Sequence, residues 1–328
     1  MKKWIPVVLL SICSLQKPAS AAPGKKITDT VVKNLSCENL TVDSIYKSIT
    51  PAAFHTYYHI PATNWKFTSG GLELGACWGL SSAQRRMFYL ARFEEKEDLS
   101  KADLLRKTLD MFRGAELTEQ QSGRGGARMV STPLNQLEVI RYSDQSLLHS
   151  WAREDVKPDG LFPLLNRGYK ENLKGQTVWK TLKLDLQRSQ QQHFFRGGNV
   201  AMITGESQAR NQVDNLLTMT KLEKNLKGNR LTLLNLRWGL TSQHVVVAKE
   251  VYDQGAYFII FVYDSNAPLI TNIVHFDKKK KTFYAPGIGV NVVPDTPDRE
   301  IGVFIVDEEE RAPIEAAMLR YYRAECNK

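Results

Sequence analysis

The sequence predicts an α+β fold, and three observations carry that prediction. From Glu94 to about Asn229 the chain is polar and largely helical in its patterning. After it come five β-branched and aromatic runs parted by turn signals, and then a closing segment of helical character. At 328 residues, 42% hydrophobic and 24% charged, the chain can build a sizeable core without help from metal or disulfides. It has no internal repeat.

The first element is a leader. Lys2 and Lys3 precede an apolar run from Ile5 to Leu15, which ends on the small-residue pattern Ala19, Ser20, Ala21. This is the layout of a secretory signal peptide over residues 1–21, and the run is too short to span a bilayer. Cys13 follows "LSI", which lacks the small residue that a lipid-attachment site wants. The chain is therefore expected to be exported, periplasmic or secreted, with no membrane span.

Residues 22–70 are mixed and punctuated by "TP" and "IP", and they read either as a segment wrapping the core or as a removable pro-segment. In "LSSAQRRMFYLARF", Leu80, Ala83, Met87, Leu90 and Ala91 fall on one face at helical spacing, so Cys77 stands just ahead of a helix. "SGRGGAR" at 122–128 and "KPDG" at 157–160 break the polar part as loops. The strands are expected in "RLTLLNLRW", "HVVVAKEVY", "AYFIIFVYD", "NIVHF" and "GVFIVD", with a turn at Gln254 and Gly255 and a hairpin tip at the lysine run 278–281. "EEERAPIEAAMLRYYRA" closes the chain as a helix.

The net charge of +9 falls by three once Lys2, Lys3 and Lys17 leave with the leader, a mild excess. The lysine run has no aromatic platform beside it, so nucleic acid is not an expected partner. With Cys13 gone, Cys37, Cys77 and Cys326 remain, and an odd number in an oxidising compartment leaves one thiol unpaired. If that thiol is Cys77, then Cys37 and Cys326 are candidates for a bridge between the two ends of the chain.

Cysteine chemistry needs a thiolate, an imidazole partner and a group that orients the imidazole. A helix N-terminus favours the thiolate at Cys77. His244 opens the strand "HVVVAKEVY", and Asp264 ends the strand expected to return beside it, with Asn266 as an alternative orienting group. Taken singly, such a histidine or acid is more often structural. Together, in this order and with an unpaired thiol, they share no structural reason.

"GACWGLSS" resembles the active-site segment of papain-like cysteine peptidases, and "SQHVVVA" and "FIIFVYDSN" are similar to that family's histidine strand and to the strand ending in its asparagine and serine. The separations from Cys77 are slightly longer than the roughly 130 to 150 residues of that pattern. The resemblance implies a two-lobed fold over residues 71–328, with a helical lobe at 71–229 and a β-barrel-like lobe at 230–328 that includes the closing helix. It implies Cys77 as nucleophile, His244 as general base and acid, Asp264 as orienter in place of the usual asparagine, and Trp78 as a wall of the cleft. The family's oxyanion glutamine, six residues before the cysteine, is here Gly71, so a second donor would have to come from Asn64, Ser69 or Gln243. The family's tryptophan after the asparagine is also missing from "DSNAP".

The implied activity is hydrolysis of peptide or amide bonds in a protein or peptide substrate, with no metal or cofactor. A catalytically inactive binding protein of the same fold, a cell-wall peptide hydrolase and a transglutaminase-type acyl transferase remain open as alternatives. His55 and His59 in "HTYYH" lack the intervening glutamate of a zinc-peptidase signature. His149, His193 and His275 have no evident partners nearby in sequence. Oligomeric state is not legible in the sequence.

Overall fold

The structure, a computed structural model, describes residues 24–56, 66–69, 72–93, 107–108, 110–111, 137–142, 186–187, 190, 215–238, 242–268, 270–288 and 299–328. The leader, the two glycine-marked breaks, Asn64, Gly71, His59, His149 and His193 lie outside the described residues. The chain is a mixed helix and sheet protein of α+β class, and no helix among the described residues is long and apolar enough to cross a membrane.

The amino-terminal segment forms β1 (Lys26–Ile27) and β2 (Leu35–Ser36), paired antiparallel, and then α1 (Val42–Ser48) and α2 (Pro51–Thr56). Thr41 and Ser44 close a capping box at the start of α1. Val31, Val32, Leu35, Ile45, Tyr46, Ile49, Ala53 and Phe54 are buried in one core with α3 and the carboxy-terminal helix. The Asp29 carboxylate accepts hydrogen bonds from Arg92 Nε at 3.0 Å and the Tyr322 hydroxyl at 2.7 Å. Cys37 is bonded to Cys326 across 289 residues of sequence. Residues 24–56 therefore wrap and tie the core they help to form. Replacing Cys37 and Cys326 by serine is expected to lower stability by about 2–4 kcal/mol, chiefly by freeing the unfolded chain. Urea unfolding of parent and variant without reductant checks this.

Two strands paired antiparallel, β3 (Lys66–Ser69) and β4 (Leu72–Gly75), precede α3 (Cys77–Leu90). Amphipathic spacing suggests one buried face for α3, but all fourteen of its residues are buried, because it runs through the middle of the molecule. Its two arginines are paired with acids there. Arg85 donates to Glu310 at 2.7 Å and to the Asp307 carbonyl at 2.6 Å, and Arg86 pairs with the same Glu310. Ala91, read from spacing as helical, instead caps α3 and opens β5 (Ala91–Phe93), which pairs parallel with β6 (Ile140–Tyr142).

The helix α4 (Asn215–Lys227) precedes six antiparallel strands: β7 (Thr232–Arg237), β8 (Gln243–Gln254), β9 (Tyr257–Tyr263), β10 (Thr271–Asp277), β11 (Thr282–Tyr284) and β12 (Gly302–Val306). Their order in the sheet is β11, β10, β9, β8, β7, β12. A bridge between Phe283 and Ile301 brings the two edges together, so the sheet curls back on itself. A 3-10 turn at Glu308–Glu310 leads into α5 (Arg311–Cys326).

Alternation along β8 serves two cores. Val245 and Val247 pack with α3 and α5, whereas Val246 and Ala248 pack with Met219, Leu222 and Leu226 of α4. Packing thus cuts across chain order: α4, which precedes the strands, joins the sheet's second core, and α5, which follows them, joins the core of α3.

Candidate active site

Cys77 is the first residue of α3 and Ala76 stands at its cap, where a side chain able to accept a hydrogen bond would normally sit. The cap comes from far away in sequence. Gln190 Oε1 accepts the Trp78 N–H at 2.7 Å and the Gly79 N–H at 3.1 Å. Gly79 is what allows this approach, because a Cβ there would lie 2.5 Å from the Leu186 carbonyl oxygen. Gly79→Ala is therefore expected to cost about 1–3 kcal/mol by overpacking against backbone, measurable by thermal or urea unfolding.

The start of β8 is fixed against α3 by the Ser81 hydroxyl, which donates to the Val245 carbonyl at 2.8 Å. His244 precedes Val245 and is buried. Asp264 reaches it through the β8–β9 hairpin, which turns at Gly255 with φ of 70° and pairs Gln254 with Tyr257. Counted regularly from that turn, Asp264 would fall opposite Val247 and so on the face away from His244. A bulge between Ala248 and Glu250 absorbs Lys249, so Val247 pairs with Tyr263 and Asp264, just past the end of β9, is brought within reach of His244. Lys249 is itself buried, and that burial depresses its amine to about 8 despite Glu250.

His244 Nε2 and Asp264 Oδ1 are 2.6 Å apart and both residues are buried. The same oxygen accepts the Asn266 backbone N–H at 2.8 Å, and Oδ2 accepts from Asn272 Nδ2 at 3.1 Å. Burial opposes the charge on Asp264, but the hydrogen bond and charge of His244 and the amides of Asn266 and Asn272 outweigh it and hold the carboxyl below its ordinary value. For His244, too, burial is the largest single influence and favours the neutral ring. Hydrogen bonds to Asp264 and Cys77, with the charges on both, overcome it and raise the imidazole to about 10. With Nε2 engaged by Asp264, the other ring nitrogen is left for the sulfur. The arrangement holds the imidazole between a carboxylate and a thiol, so the ring can take the thiol's proton, activating the sulfur, and later deliver it.

Cys77, His244 and Asp264 thus come together, and Cys77 is the free cysteine among the described residues. Asn266 supports the acid through its backbone. Gln243 lies beside His244 with its Oε1 accepting from Asn235 Nδ2 at 3.0 Å. Ser69 ends β3 opposite Leu72. Trp78 is buried, and its indole N–H donates to Asp307 at 2.5 Å. Asp307 adopts a left-handed backbone and also accepts from the Ser82 hydroxyl at 3.3 Å. His275 pairs across the sheet with Ile259 and Tyr284. No group of three His, Cys, Asp or Glu among the described residues could hold a metal ion.

Sequence reasoning missed Asn272, Asp307 and Gln190. Alanine at the cap of α3 is the one local signal, since a helix end so buried must find its acceptor elsewhere. No family model, no curated protein and no solved structure matches the chain.

Proposed function

We propose that the chain is an exported thiol hydrolase of papain-like, two-lobed type that cleaves peptide or amide bonds through Cys77, His244 and Asp264. The observation that carries this reading is the buried His244 ring, bonded to Asp264 at 2.6 Å with the Cys77 thiol as its other partner. The Cys37–Cys326 disulfide supports export, because such bonds persist in oxidising compartments.

In the reaction His244 takes the Cys77 thiol proton, the sulfur attacks the substrate carbonyl carbon, and the carbonyl π pair moves to oxygen. Collapse of that adduct breaks the C–N bond, and the imidazolium proton of His244 passes to the departing amine. His244, now neutral, takes a proton from water as the water attacks the thioester, and the acid leaves with the sulfur restored. Asp264 holds the ring and stabilises its cation throughout. This chemistry requires no metal or cofactor from the chain.

The test is to mix the purified chain with an N-acylglycine p-nitrophenyl ester and look by mass spectrometry for an acyl group on Cys77, with a matching burst of p-nitrophenol. Acylation at Cys77 supports the reading. A Cys77 that iodoacetamide alkylates but that no ester or peptide acylates overturns it in favour of a binding protein.

A further inference from the structure

Gln190 does more than cap a helix. It lies 112 residues from Trp78 in sequence, yet its carboxamide oxygen is spent on the two peptide N–H groups that directly follow the nucleophile. A carboxamide is planar, with an acceptor oxygen and a donor nitrogen on the same carbon. Anchoring the oxygen therefore fixes the nitrogen beside the same helix end. Gln190 is only 5% exposed, and its nitrogen makes no hydrogen bond to a described residue. The Cys77 N–H is likewise unpaired among the described residues.

We propose that Gln190, through its carboxamide N–H, is the second donor of an oxyanion hole whose first donor is the Cys77 N–H. The assignment rests on the reading of Cys77 as an acyl-transfer nucleophile. As the C–S bond forms, negative charge gathers on the former carbonyl oxygen, and donors already held in place stabilise it without reorganising. The position six residues before Cys77 is glycine and can donate nothing from a side chain, so the donor reaches the sulfur from the opposite direction along the chain. The bond to Trp78 and Gly79 gives the side chain its rigidity, and that rigidity makes the N–H useful.

Gln190→Glu separates the two roles, since a carboxylate still accepts from Trp78 and Gly79 but offers no N–H. Two reactions of Cys77 are compared: acylation by an N-acylglycine p-nitrophenyl ester, which builds an oxyanion, and alkylation by iodoacetamide, which does not. The ratio of the two rates cancels any effect of the new charge on the sulfur itself. The expected result is a fall in that ratio of about a hundredfold or more, with KM for the ester little changed. Gln190→Met, matched in length and uncharged, is expected to lower the same ratio. A ratio unchanged in both variants, whether the rates hold or fall together, means that Gln190 is a cap only and overturns the assignment. A parent protein that is alkylated but not acylated fails earlier, at the proposed function.

Discussion

Cys77→Ala is expected to lower ester and peptide hydrolysis by about ten-thousandfold or more, the scale seen when a covalent nucleophile is removed from an intact site. The fold should survive. The residue is small and buried in the core of α3, and losing one sulfur there costs on the order of 1 kcal/mol. The substitution also reaches His244, because two of the influences that raise the imidazole come from Cys77. With those gone and Asp264 still in place, the ring should titrate below about 10, visible by NMR. Initial rates, urea unfolding and the His244 titration on one preparation check all three. Hydrolysis that persists in the variant means that a different group is the nucleophile.

Much of this arrangement can be read without coordinates, and the part that cannot has a common cause. The five strand runs, the turn at Gly255 and the closing helix announce themselves through local composition, because β-branched runs and a glycine of positive φ are properties of neighbouring residues. The odd thiol pointed to Cys37 and Cys326 by counting. The bulge at Lys249 did not announce itself, since a bulge is a relation between two strands. A regular hairpin drawn from the same turn would have put Asp264 on the wrong face. Nor did the buried Arg85 and Arg86, whose places inside the molecule depend on Glu310, some 225 residues away. Gln190 is a third case. Its neighbours are glutamines and polar residues, and only the packing of Gly79 against Leu186 singles it out. Local signals give the elements, while the site depends on how distant elements register against one another.

That dependence sets the second large effect, at Asp264. Asp264→Ala removes the acceptor of His244 and leaves a buried imidazolium facing Cys77 alone, an uncompensated charge of the kind that costs about 3–5 kcal/mol. It also frees the ring to turn, and misplacement of a catalytic group by about 1 Å can cost a hundredfold in rate. The pH dependence follows from the two directions. His244, raised from the ordinary 6.5 to about 10, lends stability that is complete below about pH 6.5 and is lost as pH climbs towards 10. Asp264, held below its ordinary 3.8, lends stability above about pH 4 that is lost as pH falls through its lowered value. The difference in unfolding free energy between parent and Asp264→Ala should therefore be widest from about pH 4 to 6.5 and narrow on both sides. Asp264→Asn is the informative contrast. Its oxygen can still accept from His244 Nε2, so the ring stays oriented, but its amide nitrogen meets the Asn272 Nδ2 donor that now bonds Oδ2. Adding Asn272→Asp, which turns that donor into an acceptor, should restore part of the stability lost in Asp264→Asn. If Asp264→Ala matches the parent in both unfolding and rate at pH 6, the carboxylate neither holds nor charges the ring.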